Sequence, residues 1–119
     1  MTFKVNLPKM DLGGLYQHSF KYYSKDSMRV KTPVDLTGQT LVMDIRKADG
    51  TLLLSLSSLN GMISIDGNVF TISVSGIETA KVSFTQAQYD LVMYPGSEKA
   101  KARVLMYGNI TAGKIKTVF

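Results

Sequence analysis

Apolar and polar residues alternate through most of the middle of the chain. Leu41, Met43 and Ile45 occupy alternate positions of one segment, and Asp44 and Arg46 fall on the other positions. A period of two is typical of a β-strand that buries one face. Equivalent positions in later segments extend the predicted core to Leu54, Ile72, Val74, Leu91 and Met106.

Turn residues separate these segments about every 8–12 residues, a spacing typical of antiparallel sandwiches and barrels. The turns are Asp49-Gly50, Asn60-Gly61, Asp66-Gly67 and Pro95-Gly96. The first of these predicts a tight type I′ hairpin turn, for which Asp-Gly supplies the positive φ. Inside the last long segment, Gly108 indicates a bulge or a close backbone approach.

One short helix interrupts the strands. Ser75 and Glu78 have the spacing of a capping box, in which each side chain binds a free backbone N–H group of the first helical turn. A helix is therefore predicted near 75–81. The complete pattern predicts an all-β, antiparallel fold of about seven strands.

The chain of 119 residues contains no repeat or linker, so one domain is expected. We place the β-sandwich domain at 14–112, an N-terminal arm at 1–13 and a C-terminal tail at 113–119. The two ends carry apolar residues that the alternation does not use, namely Phe3, Val5, Leu7, Val118 and Phe119. Two alternatives stay open for these ends: they contact a neighbouring subunit, or they form edge strands of their own domain.

The amino-acid composition limits the classes of protein to which the chain can belong. With 45% hydrophobic and 19% charged residues the chain is typical of a globular protein. The absence of Cys excludes disulfides, thiol catalysis and Cys-ligated zinc, and fits a reducing compartment. No apolar run approaches the ~20 residues of a membrane span, and the first residues do not resemble a signal peptide. A membrane is therefore not an expected partner.

Positive charge is concentrated at the two ends of the chain. The net charge is +5, from 14 basic and 9 acidic residues, and Lys4, Lys9, Lys114 and Lys116 contribute to the surplus. These charges are interleaved with apolar residues, as on the solvent faces of strands. Two interpretations stay open: a solvated surface with a mild excess of charge, or a patch that contacts acidic neighbours. We do not expect nucleic acid as a partner.

No constellation of catalytic or metal-binding residues stands out. His18 is the only histidine and lies between Tyr16 and Phe20 on the inward positions of a predicted strand. A metal site needs further converging ligands, and no second histidine accompanies it. The acidic residues are scattered, and no nucleophile motif is present. We therefore expect no catalytic residue, no cofactor site and no metal site, and we expect that the protein is not an enzyme.

The aromatic residues divide into two sets. Tyr16, Phe20, Tyr22, Phe70 and Tyr89 fall on inward positions of predicted strands, whereas Tyr23, Tyr94 and Tyr107 fall on outward ones. Outward aromatic residues are typical of protein interfaces. Together with the chain ends they give the candidate interface: Phe3, Val5, Leu7, Tyr23, Tyr94, Tyr107, Lys114, Lys116 and Phe119.

An ordered set of stretches carries a family resemblance over about residues 14–112. These are PVDLTG at 33–38, LVMDIR at 41–46, ADG at 48–50, LNGMISI at 59–65, VFTISVS at 69–75, YDL at 89–91 and RVLMYGNI at 103–110. In order and spacing they resemble small bacteriophage tail or baseplate proteins with an immunoglobulin-like sandwich. The sequence departs from that pattern in one place. Such proteins often have a glycine shortly before the YDL strand, and residues 83–87 of this sequence contain none.

The resemblance implies a structural component of a virion, present in the host bacterial cytoplasm during assembly. Such a protein would clamp or space neighbouring tail subunits by protein–protein contacts, in several copies of a symmetric assembly. The alternative is a receptor- or carbohydrate-binding β-sandwich module, which would need exposed aromatic residues grouped on one face or in one group of loops.

Overall fold

The computed structural model describes residues 2–25 and 27–114. Strands make up 56% of these residues and helices 6%, which confirms the prediction of a β-rich fold with one short α-helix. The strands are β1 Phe3–Lys4, β2 Met10–Leu12, β3 Tyr16–Lys21, β4 Tyr23–Lys25, β5 Lys31–Pro33, β6 Gln39–Arg46, β7 Leu52–Ser57, β8 Ile63–Asp66, β9 Val69–Val74, β10 Gln86–Pro95 and β11 Arg103–Lys114. The helix α1 spans Gly76–Thr79, and a 3₁₀ turn spans Lys99–Lys101.

The described residues form eleven strands instead of about seven. Seven of them are four residues or longer, and these are the strands that alternation predicts. The other four, β1, β2, β4 and β5, have two or three residues each. Strands this short contain too few positions to show a period of two.

The strands form two larger sheets and one separate hairpin. In the first sheet the order is β1-β11-β10-β6-β7, and β2 also pairs with β11. The second sheet has the order β3-β9-β8, and β4 pairs only with β5. β1 and β2 run parallel to β11, whereas the other pairs of neighbouring strands in the described residues are antiparallel.

Both larger sheets contribute to one hydrophobic core. The second sheet supplies Tyr16, Phe70 and Ile72, and the first supplies residues of β6, β7, β10 and β11. All of the predicted core positions are buried: Leu41, Met43, Ile45, Leu54, Ile72, Val74, Leu91 and Met106. Alternation therefore predicts the inward-facing side chains correctly at these eight positions.

A bulge in β11 changes the orientation of one residue. Leu91 pairs with Met106 but Val92 pairs with Val104, so Leu105 has no partner on β10. The extra residue turns Val104 to the opposite face, where it is exposed, and leaves Leu105 and Met106 both buried. Alternation in the sequence predicts Val104 on the same face as Met106. This prediction is wrong, since simple alternation cannot anticipate an inserted residue.

The hairpin between β6 and β7 also differs from the prediction. Gly50 N–H donates to Lys47 O at 2.9 Å, and Lys47 N–H donates to Thr51 O at 2.9 Å. Gly50 has a positive φ of 91°, but Asp49 does not. A type I′ turn needs positive φ at both central residues, so this connection has the pattern of a type I turn followed by a glycine bulge.

A loop side chain covers part of the free edge of β7. Asn60 Nδ2 donates to Ser55 O at 2.9 Å, and Asn60 Oδ1 accepts from Ser57 N–H at 3.0 Å. These are the two kinds of hydrogen bond that a further strand would make with the edge. Asn60 therefore blocks this part of β7, whose sequence LLLSLS carries no charge.

Helix α1 is shorter than the predicted segment. Ser75 Oγ accepts from Glu78 N–H at 3.4 Å, as the capping box predicts. The Glu78 carboxylate instead accepts from Lys81 Nζ at 3.0 Å, so only half of the capping box is formed.

Thr79 ties α1 to the Gly13-Gly14 connection, where the chain passes from the first sheet to the second. Its fully buried hydroxyl accepts from Gly13 N–H at 3.0 Å and donates to Gly14 O at 2.8 Å. A Cβ on Gly76 would lie 2.6 Å from Gly13 O. Glycine at position 76 is therefore required for this close packing.

Candidate functional site

The N-terminal segment lies along β11 in the first sheet. Val5 N–H donates to Tyr107 O at 2.8 Å, and Leu7 N–H donates to Asn109 O at 3.0 Å. Leu7 is buried in the core together with Met10 and Leu12. Of the two alternatives for this segment, the structure shows edge strands of its own domain. Leu7 is therefore wrong as a candidate for an exposed interface, because the core already uses its side chain.

Gly108 permits a close approach between this segment and β11, as the sequence predicts. A Cβ at position 108 would lie 2.1 Å from Val5 O. The same carbonyl oxygen accepts a hydrogen bond from the Tyr89 hydroxyl. The backbone of Val5 therefore passes directly over Gly108 and next to Tyr89, its partner on β10.

Two buried tyrosines, one from each larger sheet, hold the N-terminal segment. The Tyr16 hydroxyl donates to Pro8 O at 2.7 Å, and the Tyr89 hydroxyl donates to Val5 O. Burial, with a smaller contribution from Tyr89, raises the pKa of Tyr16 well above its usual range. Burial also raises the pKa of Tyr89 to about 12. The neutral phenols are therefore the forms that fit this site.

The other candidate interface residues are scattered. Phe3 and Tyr107 are 41% and 44% exposed, and the Phe3 ring lies edge-on against Tyr22 at 6.5 Å. Val5 and Tyr23 are half-buried. Lys114 is exposed at the end of β11, whereas Lys116 and Phe119 lie outside the described residues, as does Val118.

Tyr94 is buried, and its predicted outward exposure is wrong. It lies near the end of β10 opposite Thr40, which is also buried. The chain after Pro95 folds back, so that the 3₁₀ turn Lys99–Lys101 packs beside β10. Thr40 Oγ1 donates to Gly96 O at 2.6 Å and fixes the start of this connection. Alternation along a strand carries no information about such a covering loop.

The outer face of the first sheet carries a polar row. Register aligns Lys4, Tyr107, Asp90, Asp44 and Ser55 across five strands. The Asp44 carboxylate accepts from Ser55 Oγ at 2.6 Å and pairs with Arg46 at 3.3 Å. The row borders a shallow depression of about 520 Å³, whose polar groups are open to solvent.

Several exposed apolar side chains were missed by the sequence reasoning. Leu15 and Ile77 are 64% and 74% exposed, and they follow the touching glycines Gly14 and Gly76. Met28 and Val30 are exposed in the β4–β5 connection. All four lie outside the regular alternation, so an apolar residue in a loop is the only sequence signal that marks them.

The structure places the single histidine of the sequence beside an aromatic ring. The His18 ring is half-buried and lies edge-on to Tyr16, with 4.7 Å between ring centroids. Within residues 2–25 and 27–114 no group of three or more His, Cys, Asp or Glu side chains is placed to hold a metal ion. The same residues contain no helix long and apolar enough to cross a membrane.

Comparisons with protein-family models and with curated proteins identify no relative of this chain. The sequence matches no protein-family model, and a search of curated proteins finds no significant similarity. The function is therefore inferred from the residues and their geometry.

Proposed function

We propose that this protein is a non-enzymatic structural component of a bacteriophage virion. It clamps or spaces neighbouring subunits of the tail or baseplate through protein–protein contacts, on an immunoglobulin-like sandwich. The strand order supports the fold: β3-β9-β8 corresponds to a B-E-D sheet, and β11-β10-β6-β7 corresponds to a G-F-C-C′ sheet. The resemblance of the seven sequence stretches to small tail and baseplate proteins supports the class of assembly.

The distribution of exposed apolar side chains is the observation that carries the proposal. They are spread over several parts of the described chain: Phe3 on β1, Val104 and Tyr107 on β11, Leu15 and Ile77 in and beside α1, Met28 and Val30 in the β4–β5 connection, and Leu52 and Leu59 in and after β7. Exposed apolar side chains are typical of contact surfaces. Such a spread suits a spacer that touches several neighbours better than a module with one ligand.

A receptor- or carbohydrate-binding module is less well supported. Among the described residues, the aromatic side chains that are largely exposed are Phe3 and Tyr107. Phe3 is opposite Met106, whereas Tyr107 is opposite Lys4, so the two rings point to different faces of the sheet. They do not form the shared aromatic platform that a sugar ring would stack on.

Purified particles test the proposal directly. We expect mass spectrometry to find the protein in the tail fraction in a fixed ratio to other tail proteins. The double variant Leu15→Asp with Ile77→Asp should keep its melting temperature but be depleted from particles. Gln17→Asp with Ser64→Asp adds the same charge at exposed strand positions and should be incorporated normally.

Two results would contradict the proposal. One is a particle that contains none of the protein. The other is specific binding of a glycan together with normal incorporation of the Leu15 and Ile77 variant, which would favour the binding module.

A further inference from the structure

A recess at one end of the first sheet has a strongly basic rim. It has a volume of about 470 Å³ and opens where the β6–β7 hairpin, residues 83–86 and the end of β11 meet. Lys47 and Lys114 line it. Lys9 lies across Gly113, another lining residue, with its Nζ 3.1 Å from the position that a Cβ at 113 would occupy. Two ammonium groups therefore line this small concave surface, and a third, that of Lys9, lies beside it at Gly113.

These three lysines have no ion pair with any acidic side chain of the described residues. Two carboxylates lie at the border of the recess. Asp49 accepts a hydrogen bond from Thr51 N–H at 2.9 Å, and Asp11 is opposite Gly113 in the sheet. Neither of them lines the recess. Hydrogen bonds from Thr51, together with a Coulombic interaction with Lys47, lower the pKa of the Asp49 carboxyl. Lys114 has no ion-pair partner among the described residues. A carboxylate that enters the recess would lie between Lys47 and Lys114.

The rest of the recess supplies hydrogen-bond donors above an apolar floor. Ser83, Thr85 and Gln86 lie on its wall and present two hydroxyls and an amide. Leu12 and Phe84 are buried beneath them. Cations and neutral donors together suit carboxylate groups, and the apolar floor suits the methylene groups that carry them.

We propose that this recess binds an acidic segment of a partner protein, through Glu or Asp carboxylates placed between Lys47 and Lys114, with Lys9 beside them. The proposal rests on the proposed function, because the partner would be a neighbouring virion protein. A nucleic-acid backbone fits less well, since a duplex presents a phosphate every few ångströms and would continue past the recess. Beyond it the duplex would meet Asp11 and Asp49, which repel phosphate.

Binding of a short polyglutamate peptide to the purified chain tests the proposal. We expect NMR amide shifts confined to residues 83–86, 112–114 and 47–50. The double variant Lys47→Gln with Lys114→Gln should bind the peptide about tenfold more weakly, since each exposed charge pair contributes modestly. Lys21→Gln with Lys31→Gln removes the same charge at the other end of the molecule and should bind as tightly as the wild type.

The possible outcomes distinguish specific peptide binding at the recess from an effect of net charge and from binding of nucleic acid. Equal weakening in the two double variants, or shifts spread over the whole surface, would reduce the effect to net charge and overturn the proposal. Tighter binding of a DNA duplex than of the peptide would also overturn it. If the peptide binds at the recess but the protein is missing from particles, the proposed function fails while the recess assignment stands. If the protein is incorporated normally but does not bind the peptide, the recess assignment fails while the proposed function stands.

Discussion

Gly108 shows how one missing side chain sets the path of the N-terminal segment. We predict that Gly108→Ala lowers the free energy of unfolding by about 1–3 kcal/mol, because the new methyl group would meet the Val5 backbone, which cannot move without breaking its hydrogen bonds. Gly113→Ala is the matched control, since its methyl group would meet only the flexible end of Lys9. Urea denaturation of both variants measures the difference. Equal stability would show that Val5 does not pass over Gly108.

The two buried tyrosines predict a loss of stability in alkali. The pKa of Tyr89 is raised to about 12, above the unfolded value of 10.0. Folding therefore favours the neutral phenol, and this stabilisation is complete below pH 10 and is lost as the pH rises towards 12. Tyr16 acts in the same direction, because its pKa is raised further.

The variants Tyr89→Phe and Tyr16→Phe check this prediction. Each should be less stable at neutral pH by about 1 kcal/mol, because a hydrogen bond to the N-terminal segment is lost. Each should then lose less stability than the wild type between pH 10 and 12. Urea denaturation across this range gives the comparison, and parallel pH profiles for all three proteins would contradict it.

Single residues also show which structural features can be predicted from the sequence and which cannot. The need for glycine at 108 could be predicted, because a glycine inside a strand usually marks a bulge or a place where another backbone comes close. The exposure of Val104 and the burial of Tyr94 could not be predicted in this way. The first depends on the extra residue in β11 and the second on a loop that folds back, and both are tertiary effects.

At the scale of elements, the free edge of β7 leads to a prediction about self-association. Asn60→Ala would free Ser55 O and Ser57 N–H on an uncharged strand. Free groups on an uncharged edge promote pairing with another chain. We expect concentration-dependent association by light scattering, together with a loss of about 1–2 kcal/mol of stability. Asn60→Asp keeps the acceptor and adds charge, so it should stay monomeric.

Elements are predicted best where they are long. The seven longer strands follow from alternation and turn residues, and the helix follows from Ser75 and Glu78. The short strands β1 and β2 depend on partners just over a hundred residues away on β11. Local pattern cannot supply such pairing, and this is why the sequence of this segment is compatible with two interpretations.

At the scale of the whole molecule, the first residues complete the fold instead of extending from it. Deleting residues 1–8 removes Leu7 from the core and leaves the Tyr16 and Tyr89 hydroxyls without their acceptors. We predict a melting temperature lower by more than about 10 °C, from the loss of one buried leucine and several hydrogen bonds. Calorimetry measures it. An unchanged melting temperature with failed incorporation into particles would instead favour a free arm.

The candidate interaction surfaces are the least predictable feature at this scale. Lys9, Lys47 and Lys114 are far apart in sequence and meet only because β2, the β6–β7 hairpin and β11 end at one place. Sequence alone indicates basic ends and acidic neighbours. It gives no means of adding Lys47 from the middle of the chain to that set.

The parallel pairing of the N-terminal strands with β11 also determines how the molecule bears mechanical load. Thr2 lies beside Val104 at one end of β11, and the chain leaves β11 after Lys114 at the other end. A force that draws the two termini apart therefore slides β1 and β2 along β11. The hydrogen bonds of Val5 and Leu7 to that strand are loaded in shear and must rupture together, whereas a hairpin pulled from its open end unzips one bond at a time. Tension between the two ends of β11 is consequently shared among these hydrogen bonds.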